Sequence, residues 1–401
     1  MRINSALHHA HLDSGLADPG EAPARFTPRL RETRNNFPGE IAELDGFAPR
    51  HRGQTAGAGT QSLTRATSTT ITILLSTFNG ERFLAEQLTS FVTQDYDNWR
   101  LLWRDDGSSD RTVSIMRAFA LTLPPGQCLE SATSGPHLGA SQSFLTLLAE
   151  HEAADAVAFA DQDDVWLPEK LRHAMEYLSG AGDRPMLYCA RQILVDEALR
   201  GHTLSVAHVA APGFPASLTQ NIANGNTLVM NAAAATLVAE MGRPEGTVHD
   251  WWSYIVVSAC GGKIIFDERP GVLYRLHKNN LIGSARPMPA RAIAAMRRGP
   301  AIFMTMMRRH ADTLAAQASL LAPQARSDLR LIRAALHGGL LARFAALRCR
   351  RFRRRTLLEN ILFSLWFTLD RPAETRAMPA WTPREPAPQI PSRERTVGRS
   401  G

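Results

Sequence analysis

The first regular alternation along the chain is Ile71-Thr72-Ile73-Leu74-Leu75-Ser76, a short β-branched apolar run that Thr77-Phe78-Asn79-Gly80 breaks. That pattern predicts a strand and a turn. Phe83, Leu84, Leu88, Phe91 and Val92 then recur at helical spacing over residues 81–93. The unit repeats. A strand over 99–103 ends in Arg104-Asp105-Asp106-Gly107-Ser108-Ser109-Asp110, and a helix over 111–120 follows with Asp110 as its candidate N-cap. A weaker third unit runs from Gln127 through Gly135-Pro136-His137-Leu138-Gly139 into a helix over 141–150. A fourth apolar run, Val157-Ala158-Phe159-Ala160, leads through Asp161-Gln162-Asp163-Asp164-Val165-Trp166 to a helix over 167–178. Shorter strands are expected at 186–189, 192–195 and 263–266, a turn followed by a strand within 224–230, and helices at 231–241 and 253–259.

Strands alternating with helices predict an α/β fold: a Rossmann-like, mostly parallel sheet with helices on both faces. The turn after the first strand lacks GxGxxG, which argues against a dinucleotide site. The chemistry gathers where the fourth run ends. In open α/β sheets ligands lie beyond the carboxyl ends of the strands. Asp161, Asp163 and Asp164 crowd that position, and crowded carboxylates repel unless a cation or protons compensate. Oxygen ligands of this kind suit a hard divalent ion held together with substrate phosphates. A solvated acidic turn ahead of a helix is the plainer alternative. Asp105 and Asp106 also have two readings, as helix-capping acids or as a second polar cluster on the same sheet edge.

Composition narrows the class. A hydrophobic content of 44% over 401 residues suits one large or two medium globular domains. Cys128, Cys189, Cys260 and Cys349 are scattered without a CxxC pair, so neither a zinc site nor a disulfide framework is indicated, and a reducing cytosol is the simplest compartment. No apolar segment resembles a secretory leader, and no run reaches the ~18 apolar residues of a spanning helix. Residues 1–69, rich in Ala, Gly, Pro and Arg, are expected to be a disordered extension in which His8, His9 and His11 cluster incidentally.

Five motifs stand in order: STFNGERFLAEQLTSFVTQ, RDDGSSDRT, DQDDVWLPEKL, HDWW and YRLHKNN. Together they resemble glycosyltransferase family 2, of GT-A fold, and its bacterial rhamnosyltransferase-like members, over roughly residues 70–285. The resemblance implies that Ser76, Thr77, Asn79 and Glu81 line the nucleotide end of a cleft. It implies that Asp106 accepts from a pyrimidine base, with Asp105 beside it. Asp161 and Asp163 match a DxD motif, Asp163 binding Mg²⁺ or Mn²⁺ directly and Asp161 serving the ribose or the metal. Asp250 matches a catalytic base, and His277 a residue that reaches the metal or diphosphate. His137 stands where many relatives carry Asn. Trp251 and Trp252 are expected to stack on sugar or to pack. The implied activity is inverting transfer of a sugar from a nucleotide-diphosphate donor to a saccharide or lipid-linked acceptor. The rivals are a non-catalytic scaffold and a DxD phosphatase, whose nucleophile belongs on the first strand rather than the fourth.

From Arg286 to Arg355 sixteen arginines face two acidic residues. Leu329, Ile332, Leu336, Leu340 and Phe344 recur at helical spacing, which predicts a basic amphipathic helix, either docked on the catalytic domain or lying on an anionic membrane. The region 286–371 is expected to be this helical extension, with an apolar stretch at 357–369 too short to span, and 372–401 a disordered Pro-rich tail. A nucleic-acid partner is disfavoured because no recognisable binding module is present. The compartment expected is the cytoplasm, peripheral to the inner face of the membrane.

Overall fold

A computed structural model describes residues 69–152, 155–201, 203–207, 213–277 and 300–370. The expectations for residues 1–68, including the histidine cluster, and for the tail at 372–401 lie outside the described residues. Strands β1 (Ile71–Thr77), β2 (Trp99–Asp105), β3 (Cys128–Glu130) and β4 (Ala156–Ala160) pair in the order β3-β2-β1-β4, all parallel. Helices α1 (Leu84–Val92), α2 (Thr112–Ala120) and α3 (Ala140–Glu150) make the crossovers. Beyond β4 the sheet turns mixed. β8 (Val229–Met230) runs antiparallel between β4 and β6 (Met186–Val195), and β6 lies parallel to the long β9 (Lys263–Arg275). β5 (Val165–Trp166) and β7 (Thr203–Leu204) add antiparallel edges on β9 and β6. Two predicted strands, 186–189 and 192–195, are therefore one strand with a register shift near Arg191, which lets it bend without ending.

Side chains alternate across the sheet as period-2 geometry requires. Ile71, Ile73, Leu75, Ala158 and Ala160 pack with α1, α2 and α4 (Lys170–Leu178). Leu74, Val157 and Phe159 face the other way, onto α3, α5 (Ala232–Glu240) and α6 (His249–Ala259). All five residues of β4 are buried, so it reads as a continuous apolar run, as a strand covered on both faces should. This burial delivers Asp161 and its neighbours to the sheet's carboxyl edge.

The C-terminal helices α7 (Pro300–Ala316), α8 (Pro323–His337), α9 (Leu340–Leu347) and α10 (Leu357–Leu369) extend the core on the α6 side. His310 of α7 stacks on Trp252 and bonds Thr247 Oγ1 at 2.8 Å. The stripe expected of a single amphipathic helix divides at Gly338-Gly339. A Cβ at Gly338 would lie 2.4 Å from the Ala334 carbonyl oxygen, so the chain turns where no side chain fits. Leu329, Ile332 and Leu336 are buried in the core, whereas Leu340 and Phe344 are exposed. Ile332→Ala should therefore lower unfolding free energy by about 2–5 kcal/mol, read by urea titration. A change under about 0.5 kcal/mol would return the stripe to the surface.

Candidate active site

The ends of β1 and β2 are laced together by polar side chains. Asn79, with φ +46°, accepts from Ser109 N at 2.9 Å, and its own N–H donates to Ser108 Oγ at 2.9 Å. Glu81 Oε2 accepts from Arg111 N at 3.0 Å. Asp105 accepts from Thr77 Oγ1, Ser108 Oγ, Gly107 N and Ser108 N. A carboxylate offers about four lone-pair positions, so this set occupies it fully. Gly107, at φ +93°, is required there, because a Cβ would meet the Gly135 carbonyl oxygen at 2.7 Å.

Asp106 is likewise committed. Its oxygens accept from the buried Arg104 guanidinium, from Leu138 N at 2.7 Å and from Gly139 N at 2.8 Å, with His137 Nδ1 3.0 Å away. Arg104 also donates to Ser143 Oγ at 3.0 Å, and Ser143 receives Ser76 Oγ at 2.7 Å. Asp105 and Asp106, expected beside a pyrimidine base, hold the loops after β1, β2 and β3 together in this conformation. An added base N–H would have to displace one of these bonds. Of the two readings open for Trp252, packing is the one its place allows, and not sugar binding: it is wholly buried, donates to Gly242 O at 2.9 Å and packs on His310, because the C-terminal helices cover the face on which it lies. Trp251 is half-buried, with its indole N–H on Ser217 O at 2.7 Å and its ring against Phe303.

The acidic run beyond β4 separates into three environments. Asp164 is buried and structural: it accepts from Asn226 Nδ2 and from Arg275 N at 3.1 Å, and burial together with Asp163 and Asp161 pushes its carboxyl up. Arg275 also donates to the Asp163 carbonyl at 2.9 Å and to Glu197 and Glu86, tying β9 to the acidic loop. Asp163 meets His277 Nε2 at 2.8 Å. Asp161 remains open to the cleft. Desolvation, then the negative charges of Asp163 and Asp250, push it up to about 7, against the opposing pull of Lys170. Lys170 is buried with its Nζ 3.1 Å from the Trp166 ring centroid, and burial pushes its ammonium well below the lysine range.

Asp250 comes to this cleft from α6. The helix begins one residue earlier than Asp250, at His249, so Asp250 sits in the first turn rather than at the N-cap, Val248. Its Oδ1 accepts from Asn221 Nδ2 at 3.1 Å and from Trp251 N, and its Oδ2 accepts from Gly225 N at 3.0 Å. Burial outweighs these bonds and raises the carboxyl to about 6. A Cβ at Gly225 would strike His249 Nε2 at 2.8 Å, which fixes glycine at the donor position.

The structure thus brings Asp161, Asp163, His277 and Asp250 to one cleft, with the Ser76–Glu81 loop at its side. Gln162 joins them unannounced. Its side-chain amide bonds both the N–H and the carbonyl of Phe78 at 2.9 Å, pinning the first loop to the acidic one. Nothing in spacing marks Gln162, Asn221, Asn226 or Arg275, because each acts across 29 to 112 residues of chain. Only their polar type next to the motifs could have drawn attention.

Residues 72–224 match the family model described as glycosyl transferase family 2. With the parallel half-sheet and the loops at its carboxyl edge, this makes that part of the chain a glycosyltransferase family 2 domain of GT-A fold. It is similar to the dTDP-rhamnosyl transferase RfbG of Shigella flexneri, 28% identical over 223 residues, which are 52% of this chain and 74% of that protein. The putative glycosyltransferase EpsE of Bacillus subtilis (strain 168) is 27% identical over 164 residues, 41% of this chain and 57% of that protein. The solved structure of S. aureus TarS 1-349 in complex with UDP-GlcNAc aligns with 67% of this chain and 72% of that one, at 17% identity and TM-score 0.46.

The raised Asp250 carboxyl sets a pH dependence of stability. Between about pH 4 and 6 the folded chain keeps this proton and the unfolded chain has lost it, so its contribution falls as pH rises through that window. Asp250→Asn lacks the effect. Its unfolding free energy should gain on the parent's by on the order of 2 kcal/mol between pH 4 and 7, measured by denaturant titration at both values. Parallel curves for the two proteins would show that Asp250 titrates normally.

Proposed function

We propose that the protein moves a sugar, rhamnose being the first candidate, from a pyrimidine nucleotide-diphosphate donor to a hydroxyl of a cell-surface polysaccharide or lipid-linked acceptor, with inversion. The observation that carries this reading is the convergence of Asp161 and Asp163 with Asp250, near enough that the Asp250 charge raises the Asp161 carboxyl. A donor diphosphate leaves with growing negative charge, and an acceptor hydroxyl needs its proton removed. The cleft offers a chemical group for each need. Asp250, held by three N–H donors and raised to about 6, is mostly ionised at neutral pH and close to the ideal of a general base.

The residues fit a divalent cation. Asp163, supported by His277, and the cleft-facing Asp161 would hold Mg²⁺ or Mn²⁺. Among the described residues no three His, Cys, Asp or Glu side chains form a complete cage. A hard ion held by one or two carboxylates plus substrate phosphates would not need such a cage. When bound, the ion neutralises the departing diphosphate. Asp161 and Asp163 orient the diphosphate end, and Ser76, Thr77, Asn79 and Glu81 with the Asp105–Asp106 loop shape the nucleoside end. Trp251, next to Asp250 in α6, packs on Phe303 and His310 and supports the helix that carries Asp250. The relative from Shigella flexneri, whose name gives a dTDP-rhamnosyl donor, supports thymidine and rhamnose as the first candidates to try. The reading places the enzyme in the cytoplasm at the inner, anionic face of the membrane. Among the described residues no helix is long and apolar enough to cross a membrane.

Two measurements test it. In calorimetric titration, dTDP or UDP should bind in Mg²⁺ or Mn²⁺ and lose affinity in chelator, and Asp163→Asn should lose most of the metal-linked part. Equal affinity with and without the ion would remove the cation from the reading. Asp250→Asn should cut turnover about 10²–10⁴-fold at near-parental donor affinity. Its new amide N–H would face either Gly225 N or Asn221 Nδ2, so some stability is lost as well. Parental turnover in a stably folded Asp250→Asn would remove Asp250 as the base.

A further inference from the structure

Helices α9 and α10 are apolar on two sides. In α10, Phe363 and Phe367 are buried against Phe352 in the core. Leu357, Leu358, Ile361, Leu365 and Leu369 all point outward and are exposed, Leu358 to 71%. At about 100° per residue these five fall within roughly one third of the helix circumference, opposite the two phenylalanines. Glu359 is the only charged residue of α10. α9 repeats the pattern: Ala346 and Arg343 are buried, while Leu340, Leu341 and Phe344 are exposed, Leu341 to 87%.

The two helices are tied into one unit. The buried Arg343 guanidinium donates to the Phe367 carbonyl at 2.8 Å and to that of Asp370, closing the C-terminal end of α10. α9 and α10 thus adjoin one another and bury their other faces in the same core. The connection between them carries a band of guanidinium groups. Arg351 pairs with Asp328, and Arg354 approaches Glu359. Arg348, Arg350 and Arg353 are exposed, and no carboxylate among the described residues pairs with them.

We infer that this α9–α10 face, and not the stripe on α8, is the surface that docks on an anionic lipid bilayer. A helix facing water gains nothing from outward apolar side chains, and eight of them on two adjoining helices mark an interaction surface. The arginine band selects among partners. An apolar face bordered by unpaired cations matches acyl chains beneath negative headgroups, with Leu and Phe entering the interface and arginines at headgroup level. The inference deepens the functional reading, since a lipid-linked acceptor would be met at this surface, but it rests on the two helices alone.

The test uses the full chain in sedimentation with vesicles of phosphatidylcholine alone or mixed with phosphatidylglycerol. Binding should require phosphatidylglycerol and weaken with salt. Arg350→Gln with Arg353→Gln should weaken it about fivefold per arginine. Leu341→Asp with Leu358→Asp, both at highly exposed positions, should abolish it at any salt concentration while leaving the thermal melt and nucleotide titration parental. The nucleotide titration separates the two claims, because a chain that binds vesicles but no nucleotide leaves this inference standing and removes the enzymatic reading. Equal binding to phosphatidylcholine alone, unaltered binding in both double variants, or a dimer in light scattering that Leu341→Asp with Leu358→Asp dissociates, would overturn the inference.

Discussion

Negative charge confined at one sheet edge is the constraint on which the site depends. Asp161, Asp163, Asp164 and Asp250 share a small, poorly solvated volume, and each is held there by a different means. Asn226 and the Arg275 N–H stabilise Asp164, His277 lies against Asp163, and Gly225, Asn221 and Trp251 donate to Asp250. Asp161 has the least support and is raised to about 7. Buried carboxylates without compensation would protonate or leave the interior. The bonding pattern keeps these carboxylates in place, and a proton or, on the proposed reading, a cation would offset the charge that remains.

Holding these carboxylates draws on features far from the acidic loop. β9 runs long enough that Arg275 at its end and His277 just beyond it reach the acidic loop, and its pairing with β5 ties the chain after that loop to the sheet. α6 has to start at His249 so that Asp250 lies in the first turn, where the helix N-terminus favours a carboxylate. The C-terminal helices press on α6 through Trp251, Trp252 and His310, so the helix that carries Asp250 is supported by a layer outside the matched family segment.

Much of this was legible along the chain. The parallel half-sheet followed from strand-helix alternation, and the place of Asp161 and Asp163 followed from an apolar run that ends in carboxylates. Three things were hidden. The role of Asp106 depends on Arg104 and on the Leu138 and Gly139 N–H groups about thirty residues away, and that of Asp105 on Thr77 and the turn at Gly107-Ser108, which no periodicity shows. The burial of Trp252 depends on α7 arriving from residue 310. The division of the basic stripe at Gly338-Gly339 was visible as a glycine pair, but the apolar period carried across it in register and masked the break.

The central claim is that one carboxylate and a cation-holding pair act from opposite sides of the transferred sugar. Its most direct test is stereochemical. Proton NMR should follow the anomeric signal of the first product formed from dTDP- and UDP-sugars of known configuration, before mutarotation. Inversion at the anomeric carbon is the expected result. Retention would contradict the account, because displacement with a single base and no second attacking group cannot preserve configuration.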